Sequence, residues 1–92
     1  MADLTETEVF EEELGGSGLL LGIYTATKVA QSDTVTLGNF ETIHYADVQL
    51  TAGAVAENVS VATNVITLRS TGTGAILIKA IGTSVKSTGG AT

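Results

Sequence analysis

The chain contains no cysteine and no proline. Without cysteine, neither a disulfide nor a thiolate metal site can stabilise this domain of 92 residues. The single histidine, His44, argues against a zinc site built from nitrogen ligands. A domain this short buries a modest share of its surface, and small domains commonly depend on disulfides, metals or partner subunits. Association with partner subunits is therefore the stabilising device that we expect.

Basic residues are also scarce, with four Lys and Arg against ten Asp and Glu and a formal net charge of −6. The four are scattered at Lys28, Arg69, Lys79 and Lys86. Because an acidic surface repels phosphates, we expect no binding to nucleic acid. Charged residues make up only 15% of the chain and hydrophobic ones 43%, which is apolar for a soluble domain. This composition predicts surface that a partner covers.

Long hydrophobic runs are missing as well. The longest apolar stretch, LLLGIYTA at residues 19–26, is far shorter than the ~20 residues of a helix that crosses a bilayer. The first residues, MADLTETEVFEEEL, are acidic, whereas a secretory signal begins with a basic segment. We therefore expect no membrane span and no export by a signal peptide.

The sequence does contain a succession of short alternating segments rich in Val, Ile and Thr. The two longest, residues 19–29 and 41–51, show the period of two that is typical of strands. In the second, one face is mostly apolar and is expected to meet the core; it consists of His44, Ala46, Val48 and Leu50. Shorter strands are predicted at residues 34–37, 58–63, 65–69 and 75–82. A tight hairpin is expected at Thr63-Asn64, because asparagine tolerates a positive φ.

The first 14 residues admit two interpretations. Residues 5–8 could cap a short helix, but the apolar residues that follow do not line one helical stripe. A strand through residues 9–13, turning at the GGSG of residues 15–18, fits about as well, and we prefer it. Together the patterns predict an all-β fold, a small antiparallel β-sandwich or barrel. Its parts would be an acidic N-terminal arm (1–14), a β domain (15–82) and a C-terminal tail (83–92).

No group of residues in the sequence points to a reaction. His44 and Asp47, three apart on a strand, point to opposite faces and so do not converge on one reacting atom. We expect His44 at the core margin with a ring nitrogen bonded to the backbone, and Asp47 in water. The glutamates of residues 6–13 lack the ligand spacing of a calcium loop. We therefore predict a protein that is not an enzyme and has neither a metal nor a cofactor.

Sheet edges without proline lack one common guard against pairing with another chain. We expect these edges to be either closed within the domain or used between subunits, and the isolated chain not to be a stable monomer. The predicted contact residues lie in the N-terminal arm and in the apolar run that follows it: Val9, Phe10, Leu14, Leu19, Leu20 and Leu21.

Between residues 20 and 82 the sequence resembles a known group of proteins. A threonine-rich strand is followed by DTVTLGN (33–39), TIHYADVQ (42–49), NVITL (64–68) and ILIKAIG (76–82). This cadence is similar to that of small β-rich proteins of tailed viruses of bacteria and archaea, coded near the major capsid gene. The resemblance lies in pattern and composition, and no catalytic signature accompanies it.

The resemblance implies a virion structural protein, attached to the capsid exterior or otherwise associated with the head. Such decoration proteins often assemble as trimers, contact the major capsid protein and stabilise the shell; this one would be made in the host cytoplasm. Two alternatives stay open. One is an adhesive or receptor-binding β-module of a virion fibre, and the other is a subunit of a β-rich extracellular filament.

Overall fold

The computed structural model describes residues 3–15, 18–51 and 55–85, and within these ranges the chain is all-β. Two mostly antiparallel sheets form a small β-sandwich, so the predicted fold class is confirmed. The strands of the described ranges are β1 (Asp3–Leu4), β2 (Thr7–Glu13), β3 (Leu19–Lys28), β4 (Thr34–Thr36), β5 (Phe40–Leu50), β6 (Val55–Ala56), β7 (Val59–Ala62), β8 (Val65–Leu68) and β9 (Gly74–Ser84).

The strands pair in the order β1-β4-β8-β7 in one sheet and β2-β3-β9-β5-β6 in the other. The β1–β4 pair is parallel, and the other pairs are antiparallel. β9 lies at the centre of the five-stranded sheet and pairs along nearly its whole length with both β3 and β5. The last strand in sequence therefore holds the larger sheet together.

The core lies between the two sheets and follows the alternation read from the sequence. On β9, Ile76, Ile78 and Ala80 are completely buried while the residues between them are exposed. The inward side chains of both sheets form one cluster: Leu20, Tyr24, Val35, Leu37, Phe40, Ile43, Val48, Leu50, Ile66, Leu68, Ile76, Ile78 and Ala80.

The chain joins the two sheets at two corners. At one corner β1 pairs with β4 while β2, a few residues later, pairs with β3. At the other, β6 pairs with β5 and β7 pairs with β8. Hydrogen bonds from Glu57 N to Val48 O (2.8 Å) and from Ile43 N to Thr63 O (2.7 Å) tie the chain on either side of β7 to β5. Segments that change sheet in this way close part of each side of a sandwich, while β2 and β7 each pair with another described strand on one side only.

β5 departs from the predicted pattern of faces near its start. Val48 and Leu50 are buried as expected, but His44, predicted on the same face, is exposed and Ile43 is buried in its place. The pairing with β9 steps from Ile43–Gly82 to Tyr45–Ile81 and leaves His44 unpaired in the register. His44 is therefore the extra residue of a β-bulge, which shifts the alternation by one position.

The N-terminal segment is extended, as preferred from the sequence. β2 pairs antiparallel with β3, and β1 lies beside β4, so residues 3–13 of the predicted arm contribute strands to both sheets. At the other terminus, Thr83 and Ser84 of the predicted tail belong to β9. Residues 86–92 of that tail, and residues 16–17 of the predicted GGSG turn, lie outside the described residues.

The predicted hairpin joins β7 and β8 at Thr63-Asn64. The positive φ that we assigned to asparagine is found at Thr63 instead, where φ is 57°. A turn of two residues with a positive φ at its first position matches the twist of the flanking strands. The predicted position of the turn was therefore correct, but the residue predicted to have the positive φ was wrong.

Gly82 lies where the backbones of β9 and β5 approach most closely. A Cβ atom at this position would stand 2.2 Å from Thr42 O and 2.8 Å from Ile43 Cα. Both are backbone atoms next to the bulge, and they cannot rotate away as a side chain can. A residue without a side chain is therefore required here.

We expect Gly82→Ala to lower the free energy of unfolding by about 1–3 kcal/mol, because β5 must shift to admit the methyl group. Gly38→Ala is the matched control: a Cβ there has no heavy atom within 4 Å, so its effect should stay within about 0.5 kcal/mol. Urea unfolding followed by circular dichroism measures both variants. Equal losses of stability would contradict the close approach.

Candidate interaction surface

The outward face of the five-stranded sheet is unusually apolar. A sheet with one solvated face normally carries polar residues there. Here, neighbouring strands present a contiguous group of apolar side chains, which we call the outer apolar face: Phe10 on β2, Leu21 and Ile23 on β3, Tyr45 on β5, and Leu77 and Ile81 on β9.

The strand register brings these side chains together. Ile81 lies opposite Leu21 on one side and Tyr45 on the other, and side chains directly opposite in a sheet have Cβ atoms about 4.5–5.5 Å apart. Phe10 lies opposite Ile23 in the adjacent row. Phe10 is 42% exposed and Tyr45 51%, so this surface meets water in a single chain. Contiguous apolar surface of this kind marks a contact site.

Two opposite charges lie within the outer apolar face. Asp47 on β5 and Lys79 on β9 are register partners, and both are exposed. Together with Ile23, Gln49 and Leu77 they line a shallow depression of about 250 Å³. They are not joined as an ion pair, since the Lys28–Glu57 contact is the one ion pair within 4.0 Å among the described residues.

Part of the contact set predicted from the sequence lies on this face. Phe10 and Leu21 belong to it, and Leu19 is half-buried at the start of the same strand face. The prediction did not include the other residues of the outer apolar face, which are Ile23, Tyr45, Leu77 and Ile81. Residues 75–82 did indicate Leu77 and Ile81, because this segment is apolar at outward as well as inward positions. A strand that is covered on one face only needs apolar residues at every second position.

The rest of the predicted set lies elsewhere. Val9 is 61% exposed and is the extra residue where the β2–β3 register shifts, and Leu14 is 38% exposed beyond the end of β2. Leu20 is 4% exposed and belongs to the chain's own core. Its side chain therefore faces the opposite sheet and is not available to a partner.

His44 and Asp47 take up different contacts. His44 Nε2 lies 2.9 Å from Thr83 Oγ1, so its partner is a side chain on β9 and not the backbone group that we expected. Asp47 is exposed, as predicted. The structure thus uses the histidine in a contact across the bulge.

A buried charge network that the sequence did not reveal closes one end of the sandwich. Lys28, the last residue of β3, is 1% exposed. Its Nζ donates hydrogen bonds to Glu57 Oε1 (2.8 Å), Ser70 O (2.6 Å) and Ser70 Oγ (3.1 Å), while Ser70 N donates to Glu57 Oε2 (2.7 Å). The network joins the end of β3, the β6–β7 connection and the loop after β8.

The ionisation of this network follows from its hydrogen bonds. Burial alone would raise the pKa of Glu57, but the hydrogen bonds from Lys28 and Ser70 outweigh that effect and hold the pKa below its usual value of 4.5. The stability that this shift contributes is therefore present above pH 4.5 and is lost as the pH falls through the lower pKa of the folded chain.

We expect Lys28→Met to lower the free energy of unfolding by about 3–5 kcal/mol, because the Glu57 carboxylate stays buried without its cation. The double variant Lys28→Met/Glu57→Leu should recover most of that loss and should lack the acid-dependent component. Arg69→Met, at an exposed side chain, is the control and should change stability by less than about 0.5 kcal/mol. Denaturant unfolding between pH 3 and 7 measures all three; a double variant no more stable than the single one would refute this role.

A second polar cluster fastens β2 to the turn between β4 and β5. Glu11 accepts a hydrogen bond from the Tyr24 hydroxyl and two from Asn39 Nδ2, at 3.0 and 2.8 Å. These residues line a cavity of about 140 Å³ together with Glu6, Leu37 and Gly38. Burial first, and then the hydrogen bond to Glu11 and nearby carboxylate charges, raises the pKa of Tyr24 far above 10.0. Tyr24 therefore remains a neutral donor that ties the acidic strand to the core.

Comparison with known proteins yields no relative: no family model, no curated protein and no solved structure matches this chain. In the described ranges, His, Cys, Asp and Glu side chains form no group of three or more that could hold a metal ion. No helix in those same ranges is long and apolar enough to cross a membrane. The surface of the molecule, and the resemblance of its sequence to head-associated viral proteins, are therefore the features that bear on its function.

Proposed function

We propose that this protein is a non-enzymatic structural component of a virion, which associates with copies of itself and with the major capsid protein on the head of a tailed virus. The observation that carries the proposal is the outer apolar face. The buried core cluster does not include these side chains. Polar residues could therefore take their positions in a single chain without removing any side chain from the core. A partner that covers them gives them a role.

The closed corners bear on the kind of assembly. Because β1 and β2 serve different sheets, and the chain on either side of β7 is tied to β5, the chain itself occupies part of each side of the sandwich. Growth of a filament by edge-to-edge strand pairing needs free edges. The arrangement therefore favours contacts through a sheet face over the filament alternative.

The resemblance of residues 20–82 to head-associated viral proteins supports a location on the head of a virus particle. Burial of apolar area contributes about 25 cal/mol per Å² before the cost of association is subtracted. A small face gives weak contacts, and many weak contacts repeated over a shell become strong through multivalency. A small β-sandwich without disulfides suits that use.

Particles of the virus that encodes this chain are expected to contain it in a constant ratio to the major capsid protein. Quantitative mass spectrometry of purified particles measures the ratio, and particles lacking the gene should lose their contents at a lower temperature. Absence of the chain from intact particles would overturn the proposal.

In solution, the purified chain is expected to sediment as a species heavier than 9.3 kDa at micromolar concentration. Tyr45→Lys places a charge in the outer apolar face and should return the chain to 9.3 kDa. The control is Val29→Lys at a side chain that is 70% exposed outside that face, which should sediment like the unchanged protein. Identical behaviour of the two variants would show that the outer apolar face is not the contact.

A further inference from the structure

The two charges in the outer apolar face restrict which surface can cover it. Asp47 and Lys79 stand side by side on β5 and β9, exposed and without an ion pair to each other. A partner that covers the face takes both charges out of water, which costs several kcal/mol for each ion unless opposite charges lie close to it. A partner that presents a positive and a negative group at the same spacing adds a second opposite charge beside each of them and so offsets this cost most fully.

A second copy of the chain presents such a pair of groups. A half-turn about an axis that runs along the strands, between β5 and β9, lays β5 of one copy over β9 of the other. Asp47 of each copy then faces Lys79 of its partner, because these residues are register partners on the two strands. A two-fold contact has this reciprocal form, in which residue i meets j and residue j meets i.

We infer that the part of the outer apolar face on β5 and β9 packs against the same part of a second copy, with Asp47 of each copy opposite Lys79 of the other. The inference rests on the proposed function, whose self-contact it specifies. The same half-turn brings Tyr45 over Ile81 of the partner, since these two are also register partners. One rotation thus covers Tyr45 and Ile81 with each other and each charge with its opposite, while the side chains of the face on β2 and β3 lie outside this contact.

The distribution of charge supports a copy of the same chain as the partner. The whole chain carries a net charge of −6, yet Asp47 and Lys79 balance each other within the face. The other carboxylate near it, Glu12, lies opposite Leu21 on the edge strand β2 and so falls at the rim. Two acidic molecules can therefore meet here with attraction at the centre of the contact.

The depression on the face offers room for the exchanged side chain. It measures about 250 Å³ and is lined by Asp47 together with the apolar side chains of Ile23 and Leu77. The aliphatic part of a lysine from the partner can lie along such apolar walls while its ammonium group reaches the carboxylate. The pair so formed has twice the mass of 9.3 kDa, so the trimer that the resemblance implies would need a different contact.

Mixing two charge variants tests the contact without relying on either variant alone. In pure Asp47→Lys or pure Lys79→Asp, like charges face each other twice, and self-association should weaken by more than about tenfold. In an equimolar mixture, the introduced lysine of one chain meets the introduced aspartate of the other, and the mixed pair should form again. Each chain keeps its own unfavourable neighbours in the mixture, so recovery reports the contact between chains.

Native mass spectrometry and sedimentation identify the mixed pair. Both side chains are exposed, and circular dichroism checks that each variant folds. The control mixture contains Arg69→Asp in place of Lys79→Asp. Arg69 is exposed and directly follows β8 of the other sheet. Reversing its charge should therefore not restore the association of the Asp47→Lys variant. Loss of association in the pure variants with recovery in the first mixture alone supports the inference.

Three results would overturn it: an unchanged chain that stays at 9.3 kDa, a pure variant that pairs as well as the unchanged chain, or a first mixture that does not recover. None of these bears on whether the protein is found in virus particles. A failure of this contact can therefore be told apart from the absence of the protein from virus particles, which is the result that overturns the proposed function.

Discussion

The central position of β9 is the constraint on which the rest of the structure depends. The strand pairs with β3 on one side and β5 on the other, so nearly every residue in it has neighbours on both edges. Its inward residues Ile76, Ile78 and Ala80 are completely buried in the core, and Gly82 allows β5 to approach. Its outward residues, Leu77, Lys79 and Ile81, form the middle of the outer apolar face. One strand therefore contributes both to the core of the domain and to its outer apolar face.

The period-two pattern was enough to predict the fold class and most strands, because alternation is a local property. The bulge at His44 could not be read from β5 alone. Whether a residue is extra depends on the partner strand, and here the register steps beside Gly82 of β9. The hairpin at Thr63-Asn64 shows the same limit, since the turn position is local but the residue that takes the positive φ follows from the twist of the strands.

The outer apolar face was predicted only in part, for a related reason. Phe10 and Leu21 stood out as apolar residues near a turn, whereas Tyr45 and Ile81 become neighbours only through strand pairing. Leu20 was wrongly grouped with its neighbours because a run of leucines does not show which of them face inward. The Lys28–Glu57 pair spans 29 positions, and no spacing rule connects charges so distant in sequence.

The directions of the strands also have a mechanical consequence. β2 and β9 are both antiparallel to β3, so they run the same way, and the start of β2 and the end of β9 lie at opposite ends of the five-stranded sheet. Tension between these ends acts along the strands, while the interstrand hydrogen bonds lie across them. Such a load stretches all the hydrogen bonds between two strands at the same time and does not break them one after another. A molecule anchored through both termini would therefore resist stretching.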